Sequence, residues 1–119
     1  MTWDYNIRAG TQEDILEVLG EIPKHLTRSL AVDYSGDLAC LSGIIYQPSC
    51  PICFSVIVEG IEAPKLTKWK CAVELWEIIK TWEKQLFAIC DEKHPNSPAF
   101  LRRLGFKEVQ NGVFKWQTQ

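Results

Sequence analysis

Three groups of residues in this chain carry side chains suited to chemistry. Cys50-Pro51-Ile52-Cys53 is a C-x-x-C pair, a spacing used by dithiol redox sites and by zinc ligands. Lys65-Leu66-Thr67-Lys68-Trp69-Lys70 is the densest basic run; it can meet phosphates or serve as the solvated start of a helix. His94, just before Pro95, carries an imidazole that ordinarily titrates near neutrality, so it can give or take a proton or stand as a solvated loop histidine.

The elements that position these groups narrow the choices. The C-x-x-C runs into the apolar segment Ile52–Val58, which reads as a strand, so the helix N-terminus that would lower a thiol pKa is missing. Cys40, Cys71, Cys90, His25 and His94 stand singly, without the second close pair that a zinc site requires, and no metal is expected. Reduced buried cysteines act as small hydrophobes. Trp69 and Trp76 fall on the inward side of a helical pattern and belong to the core. Trp3 and Trp116, near the termini, pack or meet a partner, and Arg102-Arg103 reads as a solvated face.

Along the chain, Asn6–Ala9 reads as a first strand. Thr11-Gln12-Glu13-Asp14 reads as a capping box opening a helix, with Ile15, Val18, Leu19 and Ile22 at helical spacing and Pro23 ending it. Lys24 to Ala31 is expected to form a second, shorter helix with Leu26 and Leu30 inward, and Asp33–Asp37 a turn. Three strands follow: Leu38–Leu41, Gly43–Tyr46 before the breaker Pro48, and Ile52–Val58, the most apolar and so the one nearest the sheet centre. A long helix is expected over Leu66–Lys84, with Trp69, Ala72, Val73, Trp76, Ile79 and Glu83 along one stripe. Leu86–Cys90 is a strand, and Phe106–Val109 and Val113–Trp116 form a hairpin about Asn111-Gly112. Before that hairpin, Ser97-Pro98-Ala99-Phe100-Leu101-Arg102-Arg103-Leu104-Gly105-Phe106 carries the marks of a short helix: Ser97 as N-cap, Pro98 at the first position and Gly105 at the left-handed C-terminal position.

At 119 residues the chain is long enough for one domain, 1–119, and short for two. Its 46% hydrophobic content can fill a core, and a net charge of −2 argues against a general binder of nucleic acid or anionic membrane. Met1–Tyr5 shows no basic region leading into an apolar one, no run approaches a membrane span, and five scattered cysteines suit a reducing compartment. A cytoplasmic protein is expected.

The strand–helix–Leu104-Gly105-Phe106–hairpin ending, together with the order of elements, resembles the GNAT superfamily of acyl-CoA-dependent N-acyltransferases. The resemblance implies an α+β fold: a mixed central sheet of six to seven strands with helices on both faces, and a splayed opening between the two central strands. It also implies acetyl-CoA as cofactor and a small amine or a protein as acceptor. In that family an Arg/Gln-x-x-Gly-x-Gly/Ala turn at the start of the long helix holds the pyrophosphate. The corresponding stretch here is Thr67-Lys68-Trp69-Lys70-Cys71-Ala72, in which Ala72 alone matches; Thr67 replaces Arg or Gln and Lys70 replaces the first Gly. Lys68 and Lys70 are then the compensating charges, with different geometry. The backbone N–H groups of Val56, Ile57 and Val58 would hold the oxyanion. A carboxylate just past the central strand, Glu59 or Glu62, would be the base. The position of the family's acidic Tyr is occupied by Leu101, which cannot donate a proton, and His94 is the substitute.

Three functions therefore stand open. One is an N-acetyltransferase. Another is a catalytically inactive, virion-associated relative of phage head-assembly or internal virion type, working through a protein partner at the groove. The third is a module that binds the coenzyme without turning it over. A monomer or a homodimer is compatible with each.

Overall fold

The computed structural model describes residues 5–47, 50–58, 60–90 and 97–118. The elements are β1 (Tyr5–Ala9), α1 (Gln12–Leu19), β2 (Leu26–Tyr34), β3 (Asp37–Gln47), β4 (Cys50–Ile57), α2 (Lys65–Ile79), β5 (Gln85–Ile89), α3 (Ser97–Leu104), β6 (Lys107–Gln110) and β7 (Val113–Gln117). The strands form one mixed sheet of seven in the order β1-β2-β3-β4-β5-β7-β6. As expected, β4 lies at the centre. Its pairing with β5 is parallel, and all other neighbours are antiparallel.

Two apolar clusters cover the two faces. Leu75, Trp76 and Ile79 of α2, with Leu101 and Leu104 of α3, pack on Leu30, Val32, Ile44, Leu86, Ala88 and Phe114. Trp76 meets Phe106 and Trp116, each with ring centroids 5.0 Å apart, so two of the sequence's tryptophans close this core. On the opposite face Ile15, Val18 and Leu19 of α1 pack on Ala31, Leu38, Leu41 and Phe54.

The segment expected as a second helix, Lys24–Ala31, is instead a turn at Lys24-His25 followed by the start of β2 at Leu26. Leu26 and Leu30 are four apart, a spacing that shares one face in a helix and in a strand alike. The burial of Leu30 and Val32 in one cluster and Ala31 in the other decides for the strand, because only an extended segment between two layers buries neighbours to both sides. The two short strands expected at Leu38–Leu41 and Gly43–Tyr46 are one continuous β3. Gly43 is no breaker there: a Cβ at that position would collide with the backbone carbonyl of Arg28, so glycine lets β2 and β3 approach. Pro48 lies outside the described residues.

Helix ends also moved. α1 stops at Gly20 (φ 80°), whose N–H reaches the Leu16 carbonyl at 2.9 Å, before Pro23 is reached. α2 stops at Ile79 because Thr81 turns back onto the Ile78 carbonyl with both its N–H (3.1 Å) and its hydroxyl (2.6 Å), releasing Trp82 and Glu83 from the helix. Glu83 then accepts from the Tyr46 hydroxyl at 2.8 Å. The C-terminal end of α3 is as expected. Gly105 has φ 104°, its N–H reaches Arg102 and that of Phe106 reaches Leu101, which is the Schellman pattern.

The capping box of α1 forms as the sequence predicts, with Thr11 and Asp14 exchanging backbone-to-side-chain hydrogen bonds of 3.2 and 2.8 Å. Asp14 also takes a two-point contact from the Arg8 guanidinium (2.6 and 3.0 Å), while Arg8 Nε reaches Asp33 at 2.7 Å. One side chain of β1 thus ties α1 and β2 together. The guanidinium, and after it the Thr11 N–H and hydroxyl, hold the buried Asp14 carboxyl well below the usual carboxylate range. A carboxylate so depressed stabilises the fold above the ordinary Asp value of about 4, and that contribution is lost as pH falls below it. Asp14→Ala is expected to lower the unfolding free energy by about 1–3 kcal/mol at pH 7. In denaturant titrations, the gap between wild type and variant should narrow progressively below about pH 4.

Candidate functional site

The site begins where two strands part. β4 and β5 pair at one position, Ile52 with Phe87, whereas β4 stays in register with β3 from Cys50–Gln47 as far as Ile57–Cys40. The C-terminal half of β4 therefore borders a gap. The Val58 N–H donates to the Ala39 carbonyl at 2.8 Å and is spent on β3. Successive N–H groups of a strand point to opposite edges, so Val56 shares the direction of Val58 and Ile57 points toward the gap. Of Val56, Ile57 and Val58, Ile57 is the one whose N–H faces the gap. The side chains of Ser55 and Ile57 stand open to solvent beside it, Ile57 at 67% exposure. The Ser55 hydroxyl is 2.8 Å from that of Ser42 and 3.4 Å from the Cys40 sulfur.

α2 begins two residues earlier than the cradle assigned to Thr67–Ala72. Pro64 is the N-cap, and the Lys68 N–H already closes the first turn onto the Pro64 carbonyl at 3.0 Å. The N–H groups without a helical acceptor are therefore those of Lys65, Leu66 and Thr67. Trp69, Lys70, Cys71 and Ala72 lie inside the helix, and the Thr67 side chain is buried against the protein. No side chain caps this N-terminus and no acid lies in its first turn, while Lys65, Lys68 and Lys70 are exposed. A positive dipole end surrounded by lysines is a favourable place for an anion. Trp69 does not obstruct it: its ring packs edge-on against Phe100 at 5.6 Å, with the Arg103 guanidinium 5.8 Å away, and so joins α2 to α3.

The acid–base assignments fall partly outside this geometry. Glu59 and His94 lie outside the described residues. Glu62 is exposed in the segment leading to α2. Leu101 is half-buried in the core and offers no proton, as its type requires. The Tyr46 hydroxyl is engaged by Glu83, and burial, with the Glu74 carboxylate second, pushes the Tyr5 hydroxyl up to about 12.

Beyond the end of β4 a cavity of about 540 Å³ opens on the α1 side. Val56, Ile57 and Val58 line it from β4, Glu17 and Val18 from α1, Asp37 and Leu38 from β3, with Ile61 completing the wall. Glu17 and Asp37 were invisible to sequence reasoning. One is an ordinary exposed helix residue and the other ends a turn, and only the fold brings them to β4.

The C-x-x-C is settled by strand geometry. Cys50 and Cys53 are three apart in β4 and so point to opposite faces, which rules out a bridge between them. All five cysteines are free, and the described residues contain no group of three metal-binding side chains.

No family model matches this sequence, and no curated relative does. Solved structures do match. The ribosomal-protein-S18-alanine N-acetyltransferase of Escherichia coli superposes with TM-score 0.70 at 9% identity, covering 97% of this chain and 94% of that one. An N-acetyltransferase of Staphylococcus aureus Mu50 gives 0.70 at 11% identity, over 97% and 99%. A Salmonella typhimurium protein solved with its cofactor acetyl-CoA gives 0.65 at 11%, over 98% and 95%. At such identities the likeness is one of fold: this chain has the GNAT fold.

Burial pushes the Cys53 thiol up to about 12 and the Cys71 thiol up to about 11. Iodoacetamide at pH 8 should therefore modify Cys53 about a thousandfold more slowly in the folded protein than in guanidinium. Mass spectrometry of timed digests checks this.

Proposed function

We propose that this GNAT-fold chain is an acyl-CoA-dependent N-acyltransferase that takes acetyl-CoA as donor and an amine as acceptor. The supporting observations are the parting of β4 from β5 and, at the next element along the chain, an uncapped, acid-free, lysine-flanked start of α2. That donor set fits a pyrophosphate in sign and in N–H supply. It lacks the glycines that allow the closest approach, because Lys65, Leu66 and Thr67 all carry a Cβ. When bound, the coenzyme supplies an activated acyl thioester.

The chain's own groups divide the remaining work. The N–H groups of Lys65, Leu66 and Thr67, with the charges of Lys65 and Lys68, hold the phosphates. Lys70, one turn on, adds to the same positive field. The Ile57 N–H donates to the carbonyl oxygen on which negative charge grows, in a site where a fixed dipole needs no reorganisation. Glu59, just past β4, takes the proton from the acceptor amine, and His94 returns one to the departing thiolate in place of the tyrosine that Leu101 replaces. Reduced thiols suit a cytoplasmic location, and among the described residues no helix is long and apolar enough to cross a membrane. No comparison favours a catalytically silent virion component.

Calorimetric titration with acetyl-CoA tests the reading. Micromolar binding is expected, and its absence at millimolar coenzyme would overturn the proposal. Lys65→Ala with Lys68→Ala should raise Kd roughly three- to thirtyfold. Glu59→Gln and His94→Ala should each lower kcat about a hundredfold or more while leaving acetyl-CoA binding intact. Turnover that survives both changes would remove these residues from the mechanism.

A further inference from the structure

The two faces of the sheet are covered unequally. α2 and α3 lie together on one face, and α1, eight residues long, lies on the other. A helix about 10 Å across spans about two strands spaced about 4.8 Å apart. The packing follows that limit. α1 meets Ala31 of β2, Leu38 and Leu41 of β3 and Phe54 of β4, and its cluster contains no residue of β5, β7 or β6.

Strand alternation shows what is left bare. Leu86 and Ala88 of β5 and Phe114 and Trp116 of β7 pack on the α2 side, so Phe87, Ile89, Val113 and Lys115 point to the α1 side. Ile45 and Ile52 pair with each other, and Ile52 with Phe87, so they continue the same surface. Ile45, Ile52, Phe87, Ile89 and Val113 belong to neither core cluster, and Ile89 is 64% exposed. The charges on this floor have one sign. Lys115 lies over the Phe87 ring, its Nζ 5.7 Å from the centroid, and Lys107 of β6 is its pairing partner. The one acid of these strands, Glu108, turns to the other side, toward Arg102 of α3. α1 carries the complement. Glu13, Leu16 and Glu17 face outward, Leu16 at 50% exposure, and neither glutamate forms an ion pair among the described residues. An acidic ridge with an apolar centre thus stands beside a basic floor with an apolar centre. A monomer leaves both in water.

We infer that this face joins two copies of the chain in a twofold dimer, α1 of each copy seated on the bare β5–β7 floor of the other. A twofold axis running along the strands, between ridge and floor, makes the contact isologous. Each ridge then meets a floor, and the two α1 helices lie side by side between two sheets. Leu16 reaches the surface of Phe87 and Ile89, while Glu13 and Glu17 meet Lys107 and Lys115 of the other copy. The signs of charge are what select a second copy: ridge repels ridge, floor repels floor, and each attracts the other. The α2 face, with the start of α2, stays outside the contact, so the inference is independent of the acyltransferase reading.

Sedimentation equilibrium of the full chain, up to about 100 µM, tests it. The wild type is expected to dimerise with Kd of tens of micromolar or below. Glu13→Lys with Glu17→Lys reverses the ridge, and Lys107→Glu with Lys115→Glu reverses the floor. Each pair of changes should raise Kd about thirtyfold or more, as should Ile89→Lys. Mixed in equal amounts, the two reversed variants should dimerise about as tightly as the wild type, because every ridge then meets a floor of opposite sign. A wild type that stays monomeric overturns the inference. So does a dimer indifferent to all of these changes, which is what pairing along the exposed β6 edge would give. Reversed variants that remain apart when mixed, although each melts as cooperatively as the wild type, overturn it as well. Should the floor variant fail to fold, Ile89→Lys and the ridge variant, all at exposed positions, still decide: a wild-type Kd in either rejects the interface.

Discussion

Two parallel strands that part after a single residue pair leave one of them with backbone donors that no neighbour satisfies. In this molecule β4 pairs with β3 from Gln47–Cys50 to Cys40–Ile57, and β5 pairs along its length with β7, while β4 and β5 meet at Ile52–Phe87 alone. Since Val58 gives its N–H to Ala39, strand alternation leaves Ile57 to face the opening. An unpaired N–H exposed to water costs little, and the same N–H in a filled, dry groove seeks an acceptor.

On one face, α2 meets α3 through Trp69–Phe100 and meets Phe106 and Trp116 of the C-terminal hairpin region through Trp76. On the other, Arg8 draws α1 onto β2 through Asp14 and Asp33. That contact sets the position of Glu17 one helical turn after Asp14, and with it one wall of the cavity at the end of β4.

Much of the local structure was legible in residue types. The Thr11–Asp14 capping box, the Schellman end at Gly105 and the Asn111-Gly112 turn each depend on interactions within a few residues, and each formed as read. Lys24–Ala31 carries a spacing of four that fits helix and strand alike, and β2 is fixed instead by layers supplied from α1 and α2. α2 opens at Pro64, which offers no side-chain cap, so residue types alone do not mark its first helical N–H groups. The orientation of the Ile57 N–H has no sequence signal, since it depends on which edge of β4 is already paired.

What the sequence determined by itself is the set of elements whose signals are local: caps, tight turns, the central apolar strand and the chemical type of each side chain. Leu101 cannot donate a proton in any fold, and Cys50 and Cys53 cannot pair across a strand. What the tertiary structure alone decided is which of these groups share a space. The meeting of Glu17, Asp37 and Val56–Val58 around one cavity brings together segments that are 19 or more positions apart in the chain. Such contacts are set by packing of layers and by strand pairing, and neither leaves a periodic trace in the residues that end up facing one another.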